Sequence, residues 1–364
     1  MLSDLNIIVT VLIPVFNGNK HLHEAIESIL KQEYKNWDML VINDFGSDDG
    51  SAETVQSYAE SDSRIQLIQN TERLGLAESL NMGIRMAKGK YIARLDADDI
   101  AMPARLRKQV EFLESNPNIA VCGSWQHHFG AADWIHKPPE KPELCKAYTL
   151  FHCHLCHSTL MLRKNAFIEN NLFYDGSFLI EDFELWSRAV GIVNFANIPE
   201  VLGKYRRHNT QRVSDVKLQE LKDDSIRIVV ASLKRNLNID LPKEDYYLVC
   251  GWVNIFLTAR LTGKRKIMLS RFESILRQIW EANKEKQFYD DDALLSVINA
   301  KWRWAKYDFS WHEPEAAKTI NSIFNQRNPS AFWSHVKRFL KNNPTFKILV
   351  KKIARLLLTF LRGE

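Results

Sequence analysis

The spacing of hydrophobic and polar positions changes in a regular way through the first 125 residues. Apolar, β-branched runs at 7–14, 39–43, 64–69, 91–95 and 119–123 predict strands. Between the first two, Leu22, Ala25, Ile26, Ile29 and Leu30 share one helical face, and Leu80, Ile84 and Ala87 repeat that spacing within 77–87. Strands alternating with helices predict an α/β fold: a doubly wound, mostly parallel sheet. Ligands of such sheets bind off the carboxyl ends of the strands, so the loops after Pro14, Asn43 and Leu95 are the ones to read for chemistry. From 126 the pattern is mixed, and from 215 long amphipathic segments without strand signals predict a mainly helical region. The expected organisation is a first domain over 1–214, divided near 125, followed by a helical region over 215–364.

Composition supports a folded chain. Of 364 residues 45% are hydrophobic and 26% charged, which excludes wholesale disorder. The net charge of +5 hides an asymmetry: residues 1–214 carry 22 Lys and Arg against 27 Asp and Glu, while 215–364 carry 27 against 17. The two parts are expected to meet different partners. The five cysteines, Cys122, Cys145, Cys153, Cys156 and Cys250, lack the spacing of a disulfide framework, which points to reduced thiols and a cytoplasmic setting. The apolar segment 7–16 is short, contains Pro14 and has no basic leader, so it reads as a strand rather than a signal peptide. No stretch has the length of a membrane span.

The main chemical signal is Asp96-Ala97-Asp98-Asp99, three carboxylates at the end of an expected strand. Anions this close repel unless a cation lies among them, and carboxylate oxygens suit Mg²⁺ or Mn²⁺ with phosphate completing the sphere. A solvated turn with helix-capping Asp residues is the plainer alternative. A second cluster, Asn43 to Gly50, ends the second strand, where acidic groups can take a ring N–H or ribose hydroxyls. Neither a GxGxxG nor a GxxxxGK[ST] pattern occurs.

In order, Val11-Leu12-Ile13-Pro14-Val15-Phe16-Asn17, Ser28 to Gln32, the 43–51 cluster, Gly75-Leu76-Ala77 with Asn81-Met82-Gly83, Ala87 to Asp99 and Pro103-Ala104-Arg105-Leu106 form a series. That series resembles inverting glycosyltransferases of family 2 with the GT-A fold, over roughly residues 8–210. The resemblance implies that Pro14, Val15 and Asn17 line a base pocket and Asp44 contacts uracil or an equivalent base. It further implies that Asp96 holds the ribose or sugar, and that Asp98 binds a metal bridging the diphosphate. One departure is visible: the family's Asp-Asp-Gly-Ser has Asn43 for its first Asp and Phe45 inserted before Gly46.

Further along, Ile180-Glu181-Asp182-Phe183 resembles the segment in which family members carry a general base, which assigns Asp182 that role with Glu181 raising its pKa by like-charge repulsion. An exposed first helical turn is the alternative reading. The run Cys153-His154-Leu155-Cys156-His157 lacks zinc-finger spacing, and His157-Ser158-Thr159-Leu160-Met161 resembles a family segment. His154 and His157 are therefore expected near the acceptor pocket or in its support. Tyr205-Arg206-Arg207-His208 resembles a family element in which His208 could be a metal ligand, or Arg206 and Arg207 could neutralise diphosphate. The QxxRW element of processive synthases is absent, so single-sugar transfer is expected.

These readings imply a nucleotide-sugar donor, a UDP-sugar first, with Mn²⁺ or Mg²⁺ as cofactor, a glycan or lipid-linked glycan acceptor, and no nucleic-acid partner. Two other classes fit parts of the pattern: a nucleotide-sugar binding protein without catalysis, and a nucleotidyltransferase, for which the glycine-poor 13–20 loop argues badly. At the C-terminus, Phe346, Leu349, Val350, Ile353, Leu357, Phe360 and Leu361 share one helical face and Lys347, Lys351, Lys352, Arg355 and Arg362 the other. Residues 344–362 are thus expected to dock on an anionic membrane surface, which would place the protein peripherally at the inner face of the cell membrane.

Overall fold

The computed structural model describes residues 9–208, 215–249 and 265–307; the segment 344–362 lies outside the described residues. The chain forms two compact units, Met1–Trp252 with Ser270–Asn299 and Val253–Leu269 with Ala300–Glu364, and the sheet lies in the first. Among the described residues no helix is long and apolar enough to cross a membrane.

Strand β1 (Val9–Val15) leads through α1 (Asn19–Leu30) to β2 (Trp37–Asn43), then α2 (Ser51–Ser61), β3 (Ile65–Gln69), α3 (Gly75–Met86) and β4 (Tyr91–Arg94). After these come β5 (Ile100–Ala101), α4 (Arg105–Ser115), β6 (Ile119–Gly130), β7 (Trp134–His136) and α5 (Pro142–Thr149). Last in the sheet-forming region are β8 (Met161–Arg163), α6 (Lys164–Glu169), α7 (Glu181–Ala189) and β9 (Asn194–Arg207). The sheet order is β3-β2-β1-β4-β8-β6-β9-β5, with β7 attached to β6. Parallel pairing runs through β3, β2, β1 and β4 and along the long β6–β9 ladder; β8 enters antiparallel between β4 and β6, and β5 and β7 are short antiparallel additions. The strands expected within the first 125 residues are all present, and the sheet is mostly parallel.

Burial on both faces explains why β1 and β2 read as continuous apolar runs rather than as alternating ones. Val9, Val11, Ile13 and Val15 pack with Leu22, Ala25, Ile26 and Ile29 of α1 on one side. Leu12, Leu40 and Ile42 pack with Leu80 and Ile84 of α3, and with Trp186 of α7, on the other. Each such side chain contributes about 1.5–3 kcal/mol through removal from water. Gly83 lets α3 approach β1 closely, since a Cβ there would fall 2.2 Å from Leu12 Cδ1. The helical region begins with α8 (Asp215–Leu237), whose Asp224 Oδ2 accepts from Leu179 N at 2.8 Å and whose Arg235 donates to Ser187 O. Those two bonds fix both ends of the segment that carries α7.

Candidate functional site

The carboxyl ends of β1 and β2 meet in a network of polar side chains. Asn17, with a left-handed φ of 48°, accepts from Asp48 N at 3.0 Å through its side chain while its own N–H donates to Ser47 Oγ at 3.1 Å. Asp49 Oδ2 accepts from Asn19 N at 2.8 Å, and Oδ1 from Ser51 Oγ at 2.6 Å. Pro14 and Val15 are buried at the strand end, whereas Phe16 and Asn17 are exposed beside it.

Asp44 is buried, and five groups donate to its carboxylate. Oδ1 receives Phe45 N at 3.1 Å, Asn70 Nδ2 at 2.9 Å and Leu74 N at 3.0 Å. Oδ2 receives Gly75 N at 3.0 Å and Arg73 Nε at 2.9 Å. Burial raises its pKa, but the bonds from Asn70, Leu74, Gly75 and Phe45 outweigh that and hold the carboxyl below its ordinary range. A carboxylate offers about four lone-pair sites, so this one is saturated. It anchors the start of α3, where Gly75 takes a φ of +75° that other residues rarely adopt. The Arg73 guanidinium, half-exposed, also lies over the Phe16 ring with its Cζ 3.3 Å from the centroid.

The acidic loop after β4 is built differently. Arg94, buried at the strand end, pairs with Asp96, whose N–H donates to Ser158 Oγ at 3.0 Å. Asp98 is one-third exposed, and its Oδ2 lies 2.9 Å from His208 Nε2. Asp99 is buried, with Oδ1 accepting from Arg206 N at 2.8 Å. Burial first, then the charge of Asp96, pushes the Asp99 carboxyl up to about 8; burial also raises Asp96 against the pull of Arg94. Beneath the loop, fully buried Arg105 donates to Arg94 O at 2.7 Å and to Leu160 O at 3.1 Å, fixing the end of β4.

Glu181 and Asp182 open α7, and their charges act on one another and on Arg94 and Asp96. Burial, then the Asp182 charge, raises the Glu181 carboxyl to about 7. Burial raises Asp182 as well, opposed by the Phe183 N–H and by the Cys153 thiol, which donates to Oδ2 at 3.5 Å. His157 Nε2 is 2.8 Å from Tyr174 Oη, and burial beside Arg94 drives its pKa well down, so the imidazole is neutral. His154 is buried, 3.3 Å from Thr149 Oγ1, and desolvation lowers it to about 3. It therefore acts as a neutral core histidine rather than as a charged group at a surface.

Two sequence comparisons fall on this same region. The sequence model of Glycosyl transferase family 2 matches residues 10–178. EpsE of Bacillus subtilis (strain 168), named a putative glycosyltransferase, is 32% identical over 282 residues, which cover 74% of this chain and 97% of EpsE. The chain belongs to glycosyltransferase family 2. This glycosyltransferase is also similar to an uncharacterized glycosyltransferase of Haemophilus influenzae, 34% identical over 57% of this chain and 68% of that protein. In structure it resembles S. aureus TarS 1-349, solved in complex with UDP-GlcNAc, with a TM-score of 0.52 at 16% identity over 88% of this chain and 92% of that one. At that identity the likeness shows the GT-A fold alone.

In the glycosyltransferase the structure brings Asp96, Asp98 and His208 to one loop cluster, and electrostatic coupling ties Glu181 and Asp182 to it. Asp44 instead belongs to the anchoring network at the start of α3. Arg206, considered for diphosphate, is engaged with Glu24 at 2.8 Å and with Asp98 O at 2.9 Å, and so serves the loop. Sequence reasoning missed Arg94, Arg105, Ser158 and Cys153. All four stand inside segments that the sequence pattern singles out, and a charged residue in an otherwise apolar strand is the signal that could have found Arg94. Among the described residues no group of three or more His, Cys, Asp or Glu could hold a metal; Cys145 bonds Pro139 O at 3.1 Å, whereas Cys153 bonds Asp182.

Proposed function

We propose that the chain transfers a single sugar from a nucleotide-sugar, a UDP-sugar first, to a hydroxyl of a surface-glycan acceptor by metal-assisted, inverting displacement. The observation that carries the reading is the meeting of Asp98 and His208, 110 residues apart in sequence, at 2.9 Å. Two donors on one edge of an octahedron with bonds of about 2.1 Å stand about 3.0 Å apart, so this pair fits a divalent cation of the Mn²⁺ or Mg²⁺ kind. Imidazole in the set favours Mn²⁺ over the harder Mg²⁺. With only two protein donors, the diphosphate of the donor and water complete the sphere. When bound, the cation offsets charge on the leaving diphosphate.

The chain's own residues do the rest. Arg94 holds Asp96 against the sugar or ribose, and Asp182, raised by burial, takes the proton of the acceptor hydroxyl as that oxygen attacks the anomeric carbon. The planar Arg73 guanidinium, stacked on Phe16 and donating to Asp44, marks the place of the base: a pyrimidine offers the same flat face and ring N–H. Base binding then displaces Arg73 and leaves the backbone anchor of Asp44 in place. TarS, in complex with UDP-GlcNAc, supports a UDP-sugar. The O-antigen biosynthesis glycosyltransferase WbnJ of Escherichia coli, 29% identical over 55% of this chain and 80% of WbnJ, supports a lipopolysaccharide, capsule or O-antigen type of acceptor. A lipid-linked acceptor also agrees with docking of 344–362 on an anionic inner-leaflet surface.

The test is calorimetric titration of a panel of UDP-, GDP- and dTDP-sugars with Mn²⁺, Mg²⁺ or EDTA, with slow donor hydrolysis followed in parallel. Metal-dependent binding of a UDP-sugar is expected. Equal binding in EDTA would remove the metal mechanism, and preference for another nucleotide would correct the donor.

A further inference from the structure

Beyond the acidic loop, β6, β7 and β9 carry a cluster of rings that none of the roles above uses. The register pairs His128 with Trp134 and with Tyr205, and Gln126 with His136, which puts Trp134, His136, His128 and Tyr205 on one face. His128, buried, stacks under Trp134 at 3.8 Å and 18°; His136 stands edge-on to Trp134 at 5.8 Å, and Tyr205 lies 5.1 Å from His128. Trp134, His136 and Tyr205 are each half-buried, and exposed Arg207 lies 5.7 Å from the Tyr205 ring.

The face adjoins the chemistry. Arg206, next to Tyr205 in β9, donates its backbone N–H to Asp99 Oδ1 at 2.8 Å, and its side chain reaches Asp98 O, Phe129 and Glu24 of α1. Tyr205 lies within electrostatic reach of Asp96, Asp98 and Asp99, and His136 within reach of His154, next in the chain to the Cys153 that bonds Asp182. Tyr205 therefore stands beside the acidic loop, and His136 beside the segment that carries Cys153.

We infer that this face is an acceptor subsite, on which a pyranose ring of the acceptor lays its C–H face against Trp134 while its hydroxyls meet His136, Tyr205 and Arg207. An aromatic face offers large rigid contact area, and the polar tips around it provide donors and acceptors at the rim, which is the mixture a sugar requires and a purely apolar ligand does not. The occupant is a saccharide because the enzyme is a glycosyltransferase and the face adjoins its carboxylates. The inference rests on the acceptor side lying at Asp182.

The test uses the full-length protein with methyl glycosides of glucose, galactose, N-acetylglucosamine and rhamnose at millimolar concentration, read by saturation-transfer difference NMR, with UDP and Mn²⁺ titrated in the same samples. The expected result is transfer to ring C–H protons of at least one glycoside, weakened about tenfold in Trp134→Leu, which keeps bulk but loses the ring. UDP affinity and melting temperature should stay as in wild type. Tyr205→Phe, which keeps the ring and loses the hydroxyl, should weaken the signal less. No glycoside signal, or a signal that Trp134→Leu leaves in place, overturns the subsite. Failure of UDP to bind brings down the donor reading alone, since the glycoside signals still decide the platform.

Discussion

Two acidic clusters stand at the ends of the strands on either side of β1, and they look alike as sequence: Asn43 to Asp49 after β2 and Asp96 to Asp99 after β4. Their physics is opposite. Asp44 and Asp49 collect backbone and side-chain donors until their carboxyls lie below the ordinary range, so each strengthens the fold as an anion. Buried Asp99 and half-buried Asp96, Glu181 and Asp182 lie where desolvation outweighs the donors they receive, and their carboxyls are pushed up. The first cluster is at rest. The second holds unfavourable negative charge that a cation or a proton in transit would relieve, as active sites commonly do. The contrast separates a structural role from a chemical one where composition does not.

The comparison predicts different outcomes for apparently equivalent substitutions. The largest effect is expected from Asp98→Ala, which removes a donor that no packed residue requires. Transfer should fall on the order of 10³-fold, with metal-dependent donor binding lost and the melting temperature within a degree or two of wild type. Steady-state kinetics and calorimetry check it, and a comparable rate in the variant would move the metal elsewhere.

Asp44→Ala should differ by its cost in stability, beside any loss of the base contact. It strips the start of α3 of its acceptor and leaves buried Asn70 short of a partner, which costs about 2–4 kcal/mol of stability by urea unfolding. The sign with pH follows from the lowered carboxyl. Its contribution is present above the unfolded value of about 3.9 and disappears as pH falls through the folded one, so the variant should lose less stability than wild type on acidification below about pH 4. A variant of unchanged stability with lost donor binding would erase the distinction between the clusters.

The difference between the clusters also marks what could be read in advance. Strands β1, β2 and β4 and helices α1 and α3 were legible because both faces of those strands are buried and the helical period is clean. The residue types at Asp98, His208 and Asp182 were legible through the family series. The saturation of Asp44 was not, since its partners are backbone N–H groups of Leu74 and Gly75 that exist only once α3 has formed. Cys153 and Ser158 act across 29 and 62 residues through one bond each, and no periodicity encodes that. The β6–β9 ladder hid behind register shifts at Ser124, Trp125 and Gln126, which break the alternation a strand reading depends on.

The smallest effect, and the sharpest on the chemical side, is a displacement of the pH profile. The Glu181 carboxyl lies at about 7, raised by burial and by the Asp182 charge beside it; Asp182 is raised by burial, with Asp96 adding repulsion and Arg94 and the Cys153 thiol opposing it. If Asp182 must accept the acceptor's proton, kcat/KM falls as pH drops at a point above that at which an ordinary carboxylate titrates. Glu181→Gln removes the neighbouring charge and eases ionisation of Asp182, so the acidic limb should move to lower pH, with the plateau at high pH within a few-fold of wild type. Asp182→Asn should lose about 10²–10⁴ in kcat at every pH while keeping donor affinity. Profiles of kcat/KM from pH 5 to 9 for the three proteins decide it. A limb that stays put in Glu181→Gln denies the coupling, and a dead Glu181→Gln beside an active Asp182→Asn moves the base by one residue.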